Sequence, residues 1–277
     1  MSVRTTRVAI ALVAVAAVTV TLVFGIRALW DAAKTHFASD DCTIGAWTLD
    51  TSQAAVASTM VGEVTKYRIH LPERASVLVL AAGLQESKLQ NLAPGEGDRD
   101  SVGVLQQRPS QGWGGGDAAK LNDVGEATKE FLDALMNVPN WQTKSVSDAV
   151  QAVQISADGS LYGQHQDEAQ ALADALQGVK PAGIVCSFPK PTEVTAATTV
   201  ASQAQAQLGI DTPVADGPQL VRVPGAHWQT AAWFVANADR LGIEEVGYDG
   251  QTWTRGSGKW STSTAAASEV SATMYRG

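Results

Sequence analysis

Apolar and polar positions change their spacing several times along this chain, and each change marks an element. From Thr51 to Tyr67, Ala54, Ala55, Ala57, Val61 and Val64 fall largely on one side of a helical period, which predicts an amphipathic helix. Pro72 and Glu73 suit the first turn of a second helix. That helix, running to about Ser87 through "ASVLVLAAGL", is apolar nearly all round, the pattern of a central, buried element. "NLAPGEGDRDSVG" is a loop by its Pro and Gly content. Helices are expected at about 117–136, 146–156 and 166–177, with "ADGSLYG" as a break before the last and Gly178 and Pro181 ending it.

Beyond this helical region the texture shifts. "PKPTEVTAATTVASQAQAQLG" begins as a linker and becomes an Ala/Gln-rich helix. "QLVRV" reads as a strand, "HWQTAAWFVANADRLG" as an amphipathic helix stopped by Gly242, and "IEEVGYDGQTW" as a hairpin turning at Asp249-Gly250. "SEVSATMYR" reads as a last strand. No repeat period is present, which excludes a solenoid.

The N-terminus has a different pattern. Arg4 and Arg7 precede an uncharged run from Val8 to Ile26, long enough at the helical rise to span about 28 Å. A single transmembrane helix with the bulk of the chain extracytoplasmic is the expectation; a signal cleaved near Ala38 is the alternative. On the exported side lie Cys42 and Cys186, and two isolated thiols in an oxidising compartment are expected to pair. The net charge of −8, with no basic patch near the motifs, argues against a nucleic-acid partner. His36, His70, His165 and His227 have no spacing that builds a metal site, and no cofactor motif occurs. No Gly-x-Ser-x-Gly is present, and Cys186 has no histidine near it in sequence, so a Ser or Cys nucleophile is not indicated.

The chemistry concentrates between Ala81 and Gly114, in "AAGLQESKLQNLAPGEGDRDSVGVLQQRPSQGWG". Glu86 ends the buried helix with Val79, Ala82 and Gly83 on its own face, small or apolar groups that would desolvate a carboxyl and keep it protonated near neutrality. Gly83 is read as leaving room for a ligand. A protonated carboxylic acid in a cleft is what glycosidic bond cleavage requires of its general acid.

The ordered combination "LQES", "GDRDSVGVLQQRP" and "QGWG" resembles the catalytic region of the lysozyme-like lytic transglycosylases, in the form found in exported actinobacterial proteins. The resemblance spans roughly residues 45–178. It implies that Glu86 is the catalytic acid, that Ser87 is the small polar residue beside it, and that Gly103, Val104, Leu105 and Gln106 form the turn lining a sugar-binding cleft. Where the family carries Ala-Tyr-Asn-Ala-Gly facing the glutamate, this chain has "AVQISADGSLYG", with Gln154 at the tyrosine's place and Tyr162 offering a ring from a shifted one. Trp113 is a candidate sugar-stacking residue or a cap on the core. Asp98 and Asp100 are candidate second carboxylates, or else solvated turn residues.

The resulting expectation is a mainly α lysozyme-like domain followed by a small α+β domain, behind the transmembrane helix. Its layout is an anchor or uncleaved signal at 1–27, a tether at 28–41, the lytic domain at 42–188, a linker with a helix at 189–215 and the α+β module at 216–277. Trp228, Trp233, Trp253 and Trp260 of that module either bind wall glycans or form its core. The implied activity is cleavage of the MurNAc-GlcNAc β-1,4 bond of peptidoglycan, leaving 1,6-anhydroMurNAc ends. The competing reading is a non-catalytic wall-binding or envelope scaffold protein.

Overall fold

Two short strands, β1 (Asp41–Ile44) and β2 (Trp47–Asp50), open the part of the chain that the computed structural model describes, residues 40–210 and 213–276. Asp50 then caps helix α1 (Thr51–Thr65) in a capping box: it accepts from the Gln53 amide N–H at 2.8 Å while Gln53 Oε1 accepts from its own N–H at 2.7 Å. Helix α2 (Arg74–Ser87) is buried along most of its length, as its nearly continuous apolar sequence requires.

The expected helix at 117–136 is divided into α3 (Ala118–Leu121) and α4 (Val124–Leu135), because Asp123 caps a new helix by accepting from Glu126 N–H at 2.9 Å. Next come α5 (Val146–Gln154), a 3-10 segment at Gly159–His165, and α6 (Gln166–Leu176). Strand β3 (Val185–Ser187) returns to pair antiparallel with β1, and in that register Cys42 lies opposite Cys186. The two cysteines form the expected disulfide. Closing a loop of 144 residues, it contributes about 5 kcal/mol on the chain-entropy model.

After α7 (Ala197–Leu208) come strands β4 (Val214–Asp216) and β5 (Leu220–Pro224), helices α8 (Trp228–Ala236) and α9 (Ala238–Leu241), and strands β6 (Ile243–Tyr248), β7 (Gln251–Thr254), β8 (Lys259–Thr262) and β9 (Glu269–Met274). These six strands form one antiparallel sheet in the order β4-β5-β9-β6-β7-β8. Asp249 and Gly250 take positive φ at the β6–β7 turn, as an Asp-Gly hairpin requires. The alternation of Val270, Ala272 and Met274 into the core fixes the face of β9.

The expected fold class is overturned. The described residues are 44% helical and 18% strand, with two antiparallel sheets of three and six strands, rather than a mainly helical lysozyme-like domain with a small α+β domain behind it. Strands β1, β2 and β3 lie in the stretch read as helical; at three or four residues each they are too short to show a two-residue period. None of the described helices is long and apolar enough to cross a membrane. The Val8–Ile26 run itself lies outside the described residues.

Candidate functional site

Helix α2 stops abruptly one residue past Glu86. Lys88 and Leu89 both take positive φ, 57° and 61°, and their amides return to Leu84 O at 3.1 Å and Gly83 O at 3.0 Å. Two successive non-glycine residues in this region are costly, and the buried Leu89 side chain is what holds them there. Leu89 occupies the space beside Gly83: a Cβ at that glycine would lie 2.9 Å from Leu89, 3.1 Å from Met60 and 3.4 Å from Val104. The expectation that Gly83 admits a ligand is therefore corrected, since the missing side chain lets the protein's own loop close on α2.

The Gly-Val-Leu-Gln turn is built against that helix end. Gly103 has φ 77°, and a Cβ there would lie 2.1 Å from Leu121 O, so the position requires glycine. Its N–H donates to Leu92 O at 2.8 Å. Ser87 Oγ donates to Val104 O at 2.8 Å, and Gln154 Nε2 to Leu105 O at 2.9 Å. Helix α2, the turn and helix α5 are thus joined around Glu86 by side chain to backbone bonds.

The Glu86 carboxyl is half-buried on the wall of a cleft of about 400 Å³. Burial raises its pKa, and hydrogen bonding from Tyr162 and from the nearby Gln154 amide pulls the other way, with burial prevailing. The Tyr162 hydroxyl donates to Glu86 Oε1. Tyr162 is fully buried, and its own pKa is pushed up first by burial and then by the carboxyl. The 3-10 segment that carries it is pinned to α2 through Gln85, whose Oε1 lies 2.9 Å from Gln164 Nε2 and 3.0 Å from His165 Nε2.

Of the residues expected at the site, Glu86, Asp98, Gln106, Trp113 and Gln154 line the cleft. Ser87, Gly103, Val104, Leu105 and Tyr162 are buried and stand behind its wall. Trp113 also packs against the core, so its two readings coexist. Asp100 points elsewhere: it accepts from Ser110 N–H at 2.8 Å and Arg108 Nε at 2.7 Å. Hydrogen bonds from Ser110, with Arg108 beside it, hold that carboxyl well below the usual range. The side chain of Asp98, by contrast, is 88% exposed at the rim.

Sequence reasoning missed Arg99, Arg108 and Ile155, which also line the cleft. Ile155 is 81% exposed and has φ 52°, a rare conformation for a β-branched residue and one that turns the chain at the end of α5. Arg99 sits in the loop between Asp98 and Asp100, the two residues whose alternative reading was a solvated turn.

No family model and no curated protein matches the chain.

Proposed function

We propose that this chain cleaves the glycan strands of peptidoglycan at the MurNAc-GlcNAc β-1,4 bond, using Glu86 as its one catalytic carboxyl group. The observation that carries the reading is the half-buried Glu86 side chain in the cleft wall, its pKa raised by burial and its carboxyl held by the Tyr162 hydroxyl. The motif resemblance over Glu86–Gly114 supplies the substrate class. The disulfide accords with an oxidising, extracytoplasmic setting, where such a substrate lies.

The proposed steps need no second carboxylate. Glu86 gives its proton to the bridging oxygen as the bond from the muramic C1 breaks, leaving an oxocarbenium-like centre. The resulting carboxylate, stabilised by the Tyr162 O–H, takes the proton from the muramic 6-hydroxyl as that oxygen bonds to C1. The products are a 1,6-anhydro end and a free 4-hydroxyl; no water is consumed and Glu86 ends protonated. Asp100 is engaged with Ser110 and Arg108, which leaves it unsuited to act as a base or nucleophile.

Zymography with purified peptidoglycan tests this. Glu86→Gln removes the transferable proton at nearly constant shape, and a loss of about 10²–10⁴-fold in rate is expected. Mass spectrometry of the digest should show anhydro ends. Equal clearing by both proteins would reject Glu86 as the acid, clearing by neither would favour the scaffold reading, and reducing ends would replace the intramolecular step with water attack.

A further inference from the structure

The chain carries a net charge of −8, yet two arginines, Arg99 and Arg108, stand on the wall of its cleft. They are not equivalent. Arg108 is committed to the protein, with Nε 2.7 Å from Asp100 and only a quarter of its side chain exposed. Arg99 has a single ion-pair contact among the described residues, 3.7 Å to Asp98, and the two side chains are 69% and 88% exposed. Such a pair is worth little in water. The five N–H donors of the Arg99 guanidinium are therefore largely unspent.

The loop holds Arg99 in place. Ser101 N–H donates to Asp98 O at 3.0 Å, closing a turn around it, and the Asp100 bonds to Arg108 and Ser110 anchor the following residue. Arg99 itself has φ 56°, a left-handed conformation that a non-glycine residue adopts only at a cost. A largely uncommitted guanidinium lining the same cleft as Glu86 is complementary to a carboxylate on the ligand, because its fork matches the two oxygens.

We infer that Arg99 is a substrate-binding residue that selects glycans carrying a carboxylate, an inference that rests on the glycan-cleaving function proposed above. In peptidoglycan that carboxylate has two sources: the lactyl group of muramic acid once its peptide is removed, or the acidic groups of an attached peptide.

Binding measured calorimetrically in the Glu86→Gln background, where turnover is blocked, tests the assignment with three probes. These are a neutral chito-oligosaccharide, peptide-stripped glycan strands and soluble peptide-bearing strands. Adding Arg99→Gln should weaken binding of a carboxylate-bearing probe about five- to tenfold, with the chito-oligosaccharide changed less than about twofold. The loss should shrink as salt is raised and be partly recovered by Arg99→Lys. The arm that shows it identifies the carboxylate's source. Equal effects on all three probes, or none, would overturn the role of Arg99 and leave the glycan reading standing. Failure of every probe to bind would overturn both.

Discussion

The cleft around Glu86 and the six-stranded sheet are both rich in groups able to contact a sugar, and they use them in opposite ways. In and around the sheet, the indole N–H groups of Trp233, Trp253 and Trp260 have acceptors inside the protein. Trp253 Nε1 donates to Cys186 O at 3.1 Å, Trp260 Nε1 to Ile184 O at 2.9 Å and Trp233 Nε1 to Gln207 Oε1 at 2.8 Å. Trp228 meets Tyr248 and Trp260 edge to face, both at 5.2 Å between centroids. Around Glu86 the arrangement differs: Tyr162 donates to one carboxyl oxygen, and the side chain still lines an open cleft. The lesson is that residue type alone does not separate binding from packing; whether the polar end is already satisfied does.

The largest effect that sharpens this contrast belongs to the sheet. Trp253 is fully buried, touches Phe188 edge to face at 6.0 Å, and caps the carbonyl of a disulfide cysteine. Trp253→Ala should lower the unfolding free energy by about 3–5 kcal/mol, measured by urea denaturation. The fraction that remains folded should cleave peptidoglycan at an unchanged rate. A stable variant with lost wall binding would instead make this tryptophan a ligand contact.

Next in size is Tyr162→Phe, which acts on the cleft through Glu86. Losing the hydroxyl removes a donor that favours the ionised carboxyl, so the pKa of Glu86, already raised by burial, should rise further. The sign follows from which form reacts. In the proposed reaction the acid form is the active one, so activity should fall as pH climbs through the folded pKa, and the variant's alkaline limb should shift to higher pH. The same sign holds for stability: the buried acid form is favoured below the ordinary carboxyl pKa, and that contribution is lost as pH rises through the folded value. Because the tyrosine also orients the acid, about a tenfold drop in kcat is expected at the optimum. An unshifted limb would mean that the hydroxyl does not act through Glu86.

Sequence alone shows α1, α2 and the place of Glu86, because fourteen or fifteen residues of helical period outweigh local noise. It also points to the disulfide. The breaks at Asp123 and Asn237 are less visible: the first depends on a single side-chain cap, and the second has no side-chain cap at all. Asn237, for example, interrupts the helix as its amide reaches Ser58 Oγ at 3.0 Å on α1, a contact of 179 residues' separation. Gly83 was misread because a helical glycine looks the same whether it admits a ligand or the chain itself. Arg99 carries no sequence signal, because its freedom depends on Asp100 pairing with Arg108 and on the exposure of Asp98, which appear only in the structure.

The smallest expected effect is also the most discriminating. Asp98 is the carboxylate at the cleft rim that remains accessible, so a hydrolase using two carboxylates would have to recruit it. Asp98→Asn should change the rate of glycan cleavage by no more than about twofold and leave the products as anhydro ends, because an exposed carboxylate at the rim contributes only screened electrostatics. Its contact with Arg99 is 3.7 Å and solvated, so folding should be indifferent to the change. A hundredfold loss with Glu86 intact, or products that turn from reducing to anhydro ends in the variant, would show a water molecule activated by Asp98. The site would then be a two-carboxylate hydrolase, in which the satisfied state of Asp100 matters but the loneliness of Glu86 does not.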